Sequence, residues 1–166
     1  MVKYVPYTAG EKESLQVSLD RHRDAVLWKL EGLDDATLRR VMLPSGNTLL
    51  GVVKHLATWE YAWICRSFAG STEPLPLDGG DEEAEWRVEE HETTADILEF
   101  YERARVAADD VISRGDLDEL GTTMFGDTVS LRWVVLHILE DTARHAGHVD
   151  VMRELLDGQV GVHRPD

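Results

Sequence analysis

The sequence predicts an all-α four-helix bundle with long connecting loops. Three observations carry this: four long stretches with apolar side chains at helical spacing, Gly and Pro stops between them, and no segment alternating with the period of a strand. The expected helices cover approximately residues 9–31, 48–69, 94–114 and 129–157, and a length of 166 residues suits one domain over 1–166.

Helix one is predicted to open at Thr8-Ala9-Gly10-Glu11, which reads as a capping box. Leu15, Leu19, Val26, Leu30 and Leu33 then share one side with His22, and Gly32 marks the end. Pro44, Gly46 and the cap candidates up to Thr48 put the start of helix two near Thr48, and Gly70 stops it. The Gly70 to Thr93 segment, with Pro74, Pro76, Gly79 and Gly80, is long for a compact unit, and such loops are often lids or binding loops. Helix three presents Ile97, Tyr101, Ala104, Ala108 and Val111 as a narrow stripe before Gly115. Helix four carries Leu131, Val134, Val135, Ile138, Leu139, Ala146, Val149, Met152 and Leu156 on one broad arc, with Gly158 as its stop. The Gly-rich link between helices three and four is expected to be a loop without strands.

Composition excludes several functions. With 32 acidic against 17 basic residues the net charge is -15, which repels nucleic-acid phosphates and anionic membrane surfaces. No run reaches the roughly 20 apolar residues of a membrane span, and Met1 to Pro6 does not read as a signal peptide, so a cytoplasmic protein is expected. The single Cys65 excludes an internal disulfide and any multi-thiolate metal site, and its apolar helix makes it a poor nucleophile. The acidic run from Asp78 to Glu85 lacks the ligand order of an EF-hand and is expected to be solvated. Metal chemistry must therefore use His and carboxylate.

Helix four concentrates His137, Asp141, His145 and His148 within twelve residues. A single stripe histidine is ordinarily structural, as is expected for His22, but burying this many polar groups is costly unless they are paired or metal-bound. Asp141 and His145 are four apart, the spacing that lets one helix offer two donors in the same direction. His145 projects from inside the apolar arc, Asp141 from its border, and His137 and His148 slightly further round. Helix two offers His55 at the edge of its own arc beside Val52 and Trp59, the candidate third ligand. Glu60 falls mid-arc on the same helix and needs a partner; pairing with an Arg or orienting a ligand His comes before direct metal contact. Trp59 and Trp63 are expected to fill the core, and as a wall beside His55 they would shield a metal from water. His91 and His163 are expected to be solvated. The wheels alone leave His137 and His148 open as alternatives.

Three stretches carry a family resemblance: Leu27-Trp28-Lys29-Leu30-Glu31-Gly32-Leu33, Pro44-Ser45-Gly46 through Lys54-His55-Leu56-Ala57, and Leu131-Arg132-Trp133 through Arg144-His145-Ala146-Gly147-His148. In these the chain resembles the DinB-like superfamily of four-helix metal proteins, and within it an actinobacterial branch. The resemblance implies a divalent metal, zinc first and nickel second, held by a His on the second helix and by an acidic residue followed four positions later by a His on the last. Here these are His55, Asp141 and His145, with His148, His137 and Glu60 as further ligands or substrate contacts. It also implies a mycothiol- or bacillithiol-dependent transferase that attacks an electrophilic small molecule, and a homodimer. A hydrolase using metal-bound water and a non-catalytic metal- or ligand-binding protein are the alternatives.

Overall fold

A computed structural model describes residues 5–81 and 83–161; His163 lies outside them. The chain forms α1 (Glu11–Leu30), a single turn α2 (Asp35–Leu38), α3 (Leu49–Glu60), a π-helical stretch (Tyr61–Arg66) that runs into α4 (Ser67–Ala69), α5 (Thr94–Arg114), strands β1 (Leu120–Thr122) and β2 (Thr128–Ser130), and α6 (Leu131–Asp157). The architecture is an all-α bundle with one small hairpin. α1 packs chiefly on α6 and α3 on α5, with α3 and α6 meeting along a further seam. Among the described residues, no helix is long and apolar enough to cross a membrane.

The helix starts show which sequence signals act. Thr48 accepts from the Gly51 N–H, Thr93 and Asp96 form a reciprocal capping box, and Ser130 accepts from the Trp133 N–H. The expected capping box at Thr8 does not form. Gly10 is the N-cap and no side chain bonds to the exposed N–H groups, so α1 begins at Glu11. α6 begins at Leu131 because the two residues before it are drawn into β2.

That hairpin corrects the expectation of a strandless loop. Leu120 pairs with Ser130, Gly121 with Val129 and Thr122 with Thr128, antiparallel. Strands of three residues are too short to display a period of two. Gly121 is required here because a Cβ would lie 2.4 Å from the Ser67 carbonyl oxygen, so the hairpin rests directly on the backbone of α4.

The core has two clusters. One gathers Val26, Leu50, Val53, Ile97, Tyr101, Val149 and Met152; the other gathers Leu19, Ile64, Ala108, Ile112, Leu131, Val135 and Ile138. Ile112 is buried on α5 rather than Val111, which is only partly covered. At the core's centre sits Arg23, fully buried. Its Nε and Nη2 donate to Glu60 at 3.1 and 2.6 Å, and its Nη1 donates to Asp20 and Asp109, both at 2.8 Å. Burial opposes the charge on Arg23, but Glu60 and Asp109 outweigh it and raise its pKa. Replacing Arg23 with Met leaves the Glu60 carboxylate buried without a counter-charge, so stability should fall by about 3 kcal/mol or more in urea denaturation. The Glu60→Gln change in the same background should recover part of that loss.

Candidate metal centre

Because Thr48 fixes the start of α3, His55 falls two turns into that helix, on the side facing α6. From α6, Asp141 and His145 project one turn apart. The three side chains converge, with one ligand atom from each lying within 4.8 Å of the others. His145 Nε2 is 3.3 Å from Asp141 Oδ1, and His55 Nε2 is 3.5 Å from Asp141 Oδ2. The His55 contact has no hydrogen-bonding geometry, so its Nε2 is a buried nitrogen without a hydrogen-bond partner.

The second nitrogen of each ring is engaged elsewhere. His55 Nδ1 meets Glu85 Oε1 at 3.0 Å, and His145 Nδ1 meets His148 Nδ1 at 3.2 Å. A carboxylate only accepts, so Nδ1 of His55 carries the proton, and in the neutral ring Nε2 is left as a lone pair aimed at Asp141 and His145. Trp86 covers the His55 ring, stacked at 3.7 Å between centroids and 13° between planes. It also touches the His145 ring at 5.3 Å.

The electrostatics call for positive charge at this point. Burial opposes protonation of His55, but the nearby carboxylates of Asp141 and Glu85 outweigh it and raise the pKa. Burial likewise works to raise Asp141, and His145 and His55 outweigh it, holding its carboxyl far below the usual range. His148 is shifted down by burial and by its neighbours His145 and Arg144, which favours its neutral form. Two carboxylates bracketing neutral-capable imidazoles favour a cation between them, whether protons or a metal ion.

The other residues singled out in the sequence lie elsewhere. Glu60 is taken by Arg23. His137 stacks on Trp133 at 4.9 Å and stands edge-on to Trp63 at 5.0 Å. His148 backs His145 rather than facing Asp141, and His91 is exposed. Trp63 packs with Trp133, Phe125 and His137; the ring against His55 is Trp86.

Glu85 and Trp86 are the residues the sequence did not reveal. They belong to the acidic loop expected to be solvated, yet Glu85 is only 7% exposed. The loop is tied down by Lys54, whose Nζ donates to the Arg87 carbonyl and to Glu92, and by Arg66, which grips Asp78. It also presses on α3 at Gly51, where a Cβ would meet the Trp86 carbonyl oxygen at 2.4 Å. Their only signal in the sequence is a Glu-Trp pair within a polar loop, thirty residues from its partner.

A helical bundle with an imidazole and carboxylate cluster between two facing helices is the class of protein that fold and site define. The chain matches the family model described as Mycothiol-S-transferase over residues 14–158. It belongs to that family, which is DinB-like. It is also similar to the crystal structure of a conserved protein from Enterococcus faecalis, at 14% identity and a TM-score of 0.65, covering 92% of this chain and 100% of that one. At that identity the likeness concerns the fold alone. No curated protein matches the chain.

Gly51→Ala should push the Trp86 backbone off α3 and uncover His55. We expect a loss of about 1–3 kcal/mol in denaturant unfolding, and new solvent access at His55 read by faster hydrogen exchange of its ring.

Proposed function

We propose that His55, Asp141 and His145 hold one divalent metal ion, zinc first and nickel second, and that the chain is a thiol S-transferase using a low-molecular-weight thiol such as mycothiol. The observation that carries this reading is the buried, unpartnered Nε2 of His55 converging on a carboxylate and a second imidazole. Structural buried histidines satisfy both nitrogens; ligand histidines use one to hold the ring and leave the other free. Membership of the family supports a thiol as the reactant.

When bound, the cation lowers the pKa of a coordinated thiol, so that the sulfur is a thiolate at neutral pH. His55, Asp141 and His145 would hold the ion with three donors, fewer than the four of a closed structural site. Glu85 keeps the proton of His55 on Nδ1 and so keeps Nε2 available. Trp86 lies over the ring and excludes water from it. His148 holds the His145 ring by the Nδ1 contact. The substrate is a small electrophile: the thiol loses its proton to solvent, its sulfur bonds the electrophilic carbon, and the leaving group departs with the electron pair of the bond that breaks.

Replacing His145 with Ala should lower both the metal bound per chain, by elemental analysis, and the melting temperature; an unchanged stoichiometry would sink the ligand assignment. In the metal-loaded protein mycothiol should raise the melting temperature, and in protein stripped by chelation it should not. Affinity should also depend on pH with a definite sign. The raised pKa of His55 means a proton competes for Nε2 from above pH 6.5 downward, so the association constant should fall about tenfold per pH unit on acidification, with proton release detectable in calorimetry. A flat profile between pH 7 and 5 would exclude His55 as a ligand.

A further inference from the structure

The seam between α3 and α6 does not end at the metal-binding cluster. On α6, Trp133, His137, Asp141 and His145 follow at intervals of four, and facing them His55, Trp59 and Trp63 do the same. The helices are antiparallel here, so His55 lies opposite Asp141 and His145, while Trp63 lies against His137 and Trp133, the latter at 5.4 Å between centroids. Beyond them, between this end of the seam and the hairpin, opens a cavity of about 350 Å³. That is within the size range of small-molecule sites.

Its walls are Trp63, Trp133, Phe125 and Val129, and its rim is Thr123, Asp127, Thr128 and Ser130. Phe125 is 66% exposed and Trp133 48% exposed, an unusual display of large apolar rings to solvent. No basic side chain lines the cavity, and Asp127 is its only charged group. Trp133 stands eight residues before Asp141, about 12 Å along the helix axis at 1.5 Å per residue.

We propose that this aromatic cavity is a second subsite, which seats a flat apolar group of the electrophilic substrate and selects for a neutral or cationic group over an anionic one. The rings supply faces for stacking and for cation contact. Asp127 and the net charge of -15 repel an anion. The separation from the cluster sets the reach: the substrate's reacting carbon and its flat group must lie roughly two helical turns apart. That the occupant is the electrophile rests on the transferase reading above; the subsite's binding preference does not.

The test uses unreactive ligands and the full chain: naphthalene acetamide as the neutral probe, naphthylmethylammonium as the cation and naphthoate as the anion, with affinities from NMR shifts of the Trp63 and Trp133 indole N–H. The ammonium and the acetamide should bind, and naphthoate should be at least tenfold weaker. Phe125→Ala, at an exposed position that folding tolerates, should weaken the acetamide five- to tenfold. Leu120→Ala, equally exposed on the hairpin but outside the cavity, should leave it unchanged. Asp127→Asn should erase most of the discrimination against naphthoate. Equal binding of all three probes, or indifference to Phe125→Ala, overturns the proposal. Displacement of the acetamide by mycothiol overturns the assignment to the electrophile. His145→Ala should retain acetamide binding, so a failed metal assignment and a failed subsite give different results.

Discussion

The buried guanidinium of Arg23 is the constraint from which the site follows. It joins α1 to α3 through Glu60 and to α5 through Asp109, and each bond fixes a helix in rotation as well as in position. An α-helix is stiff about its axis at about 100° per residue, so once Glu60 is aimed at Arg23, His55, five residues earlier, is aimed about 140° away. That direction is the seam with α6. A carboxylate alone at position 60 would cost several kcal/mol in this interior; paired in two hydrogen bonds it becomes a pin that sets the azimuth of a potential ligand.

The same division of labour appears on the loop side. The described residues between 70 and 93 have little regular structure, yet their path is set by Lys54 and Arg66 reaching out of the second long helix, and by the missing side chain at Gly51. The result brings Glu85 and Trp86 down on His55. One holds the imidazole tautomer and the other lowers the local dielectric, and each strengthens the effect of the other, because a hydrogen bond to a carboxylate is stronger away from water. The loop thus completes a site that the two helices only begin.

How much of this could be read from the chain follows from where the information sits. The bundle was legible because apolar spacing on four helices is local and long. His55, Asp141 and His145 were legible as residues on the right arcs, since a helix wheel gives direction; what it does not give is which helices face each other, and here family resemblance chose among four polar residues on α6. Glu60 was legible as a buried charge in need of a partner, an Arg or a ligand His; that the partner is Arg23 was not. Glu85 and Trp86 were not legible, since their burial depends on loop contacts with Lys54, Arg66 and Gly51 that leave no periodic trace. The hairpin escaped for the opposite reason: its strands are so short that the turn and the packing of Gly121 on Ser67 make them, rather than any strand pattern. The capping box at Thr8 shows that a motif match competes with the backbone, which there starts the helix at Gly10 instead.

The π-helical stretch directly after Glu60 explains how the seam stays aligned beyond the cluster. In an α-helix each step of four residues overshoots a full turn by about 40°, so a row of such steps drifts off any straight partner. From His55 to Trp59 that drift applies. Over Tyr61–Arg66 the backbone is π-helical, each residue turns less than in an α-helix, and the drift is reduced on the way to Trp63. Trp63 therefore stays on the seam against His137 and Trp133, while Ala62, Ile64 and Cys65 remain buried behind it. Burial pushes the Cys65 thiol up to about 12, which keeps it protonated and unreactive. The one thiol of the chain is thereby buried and protonated behind the seam, apart from the line of side chains that runs from His145 to Trp133.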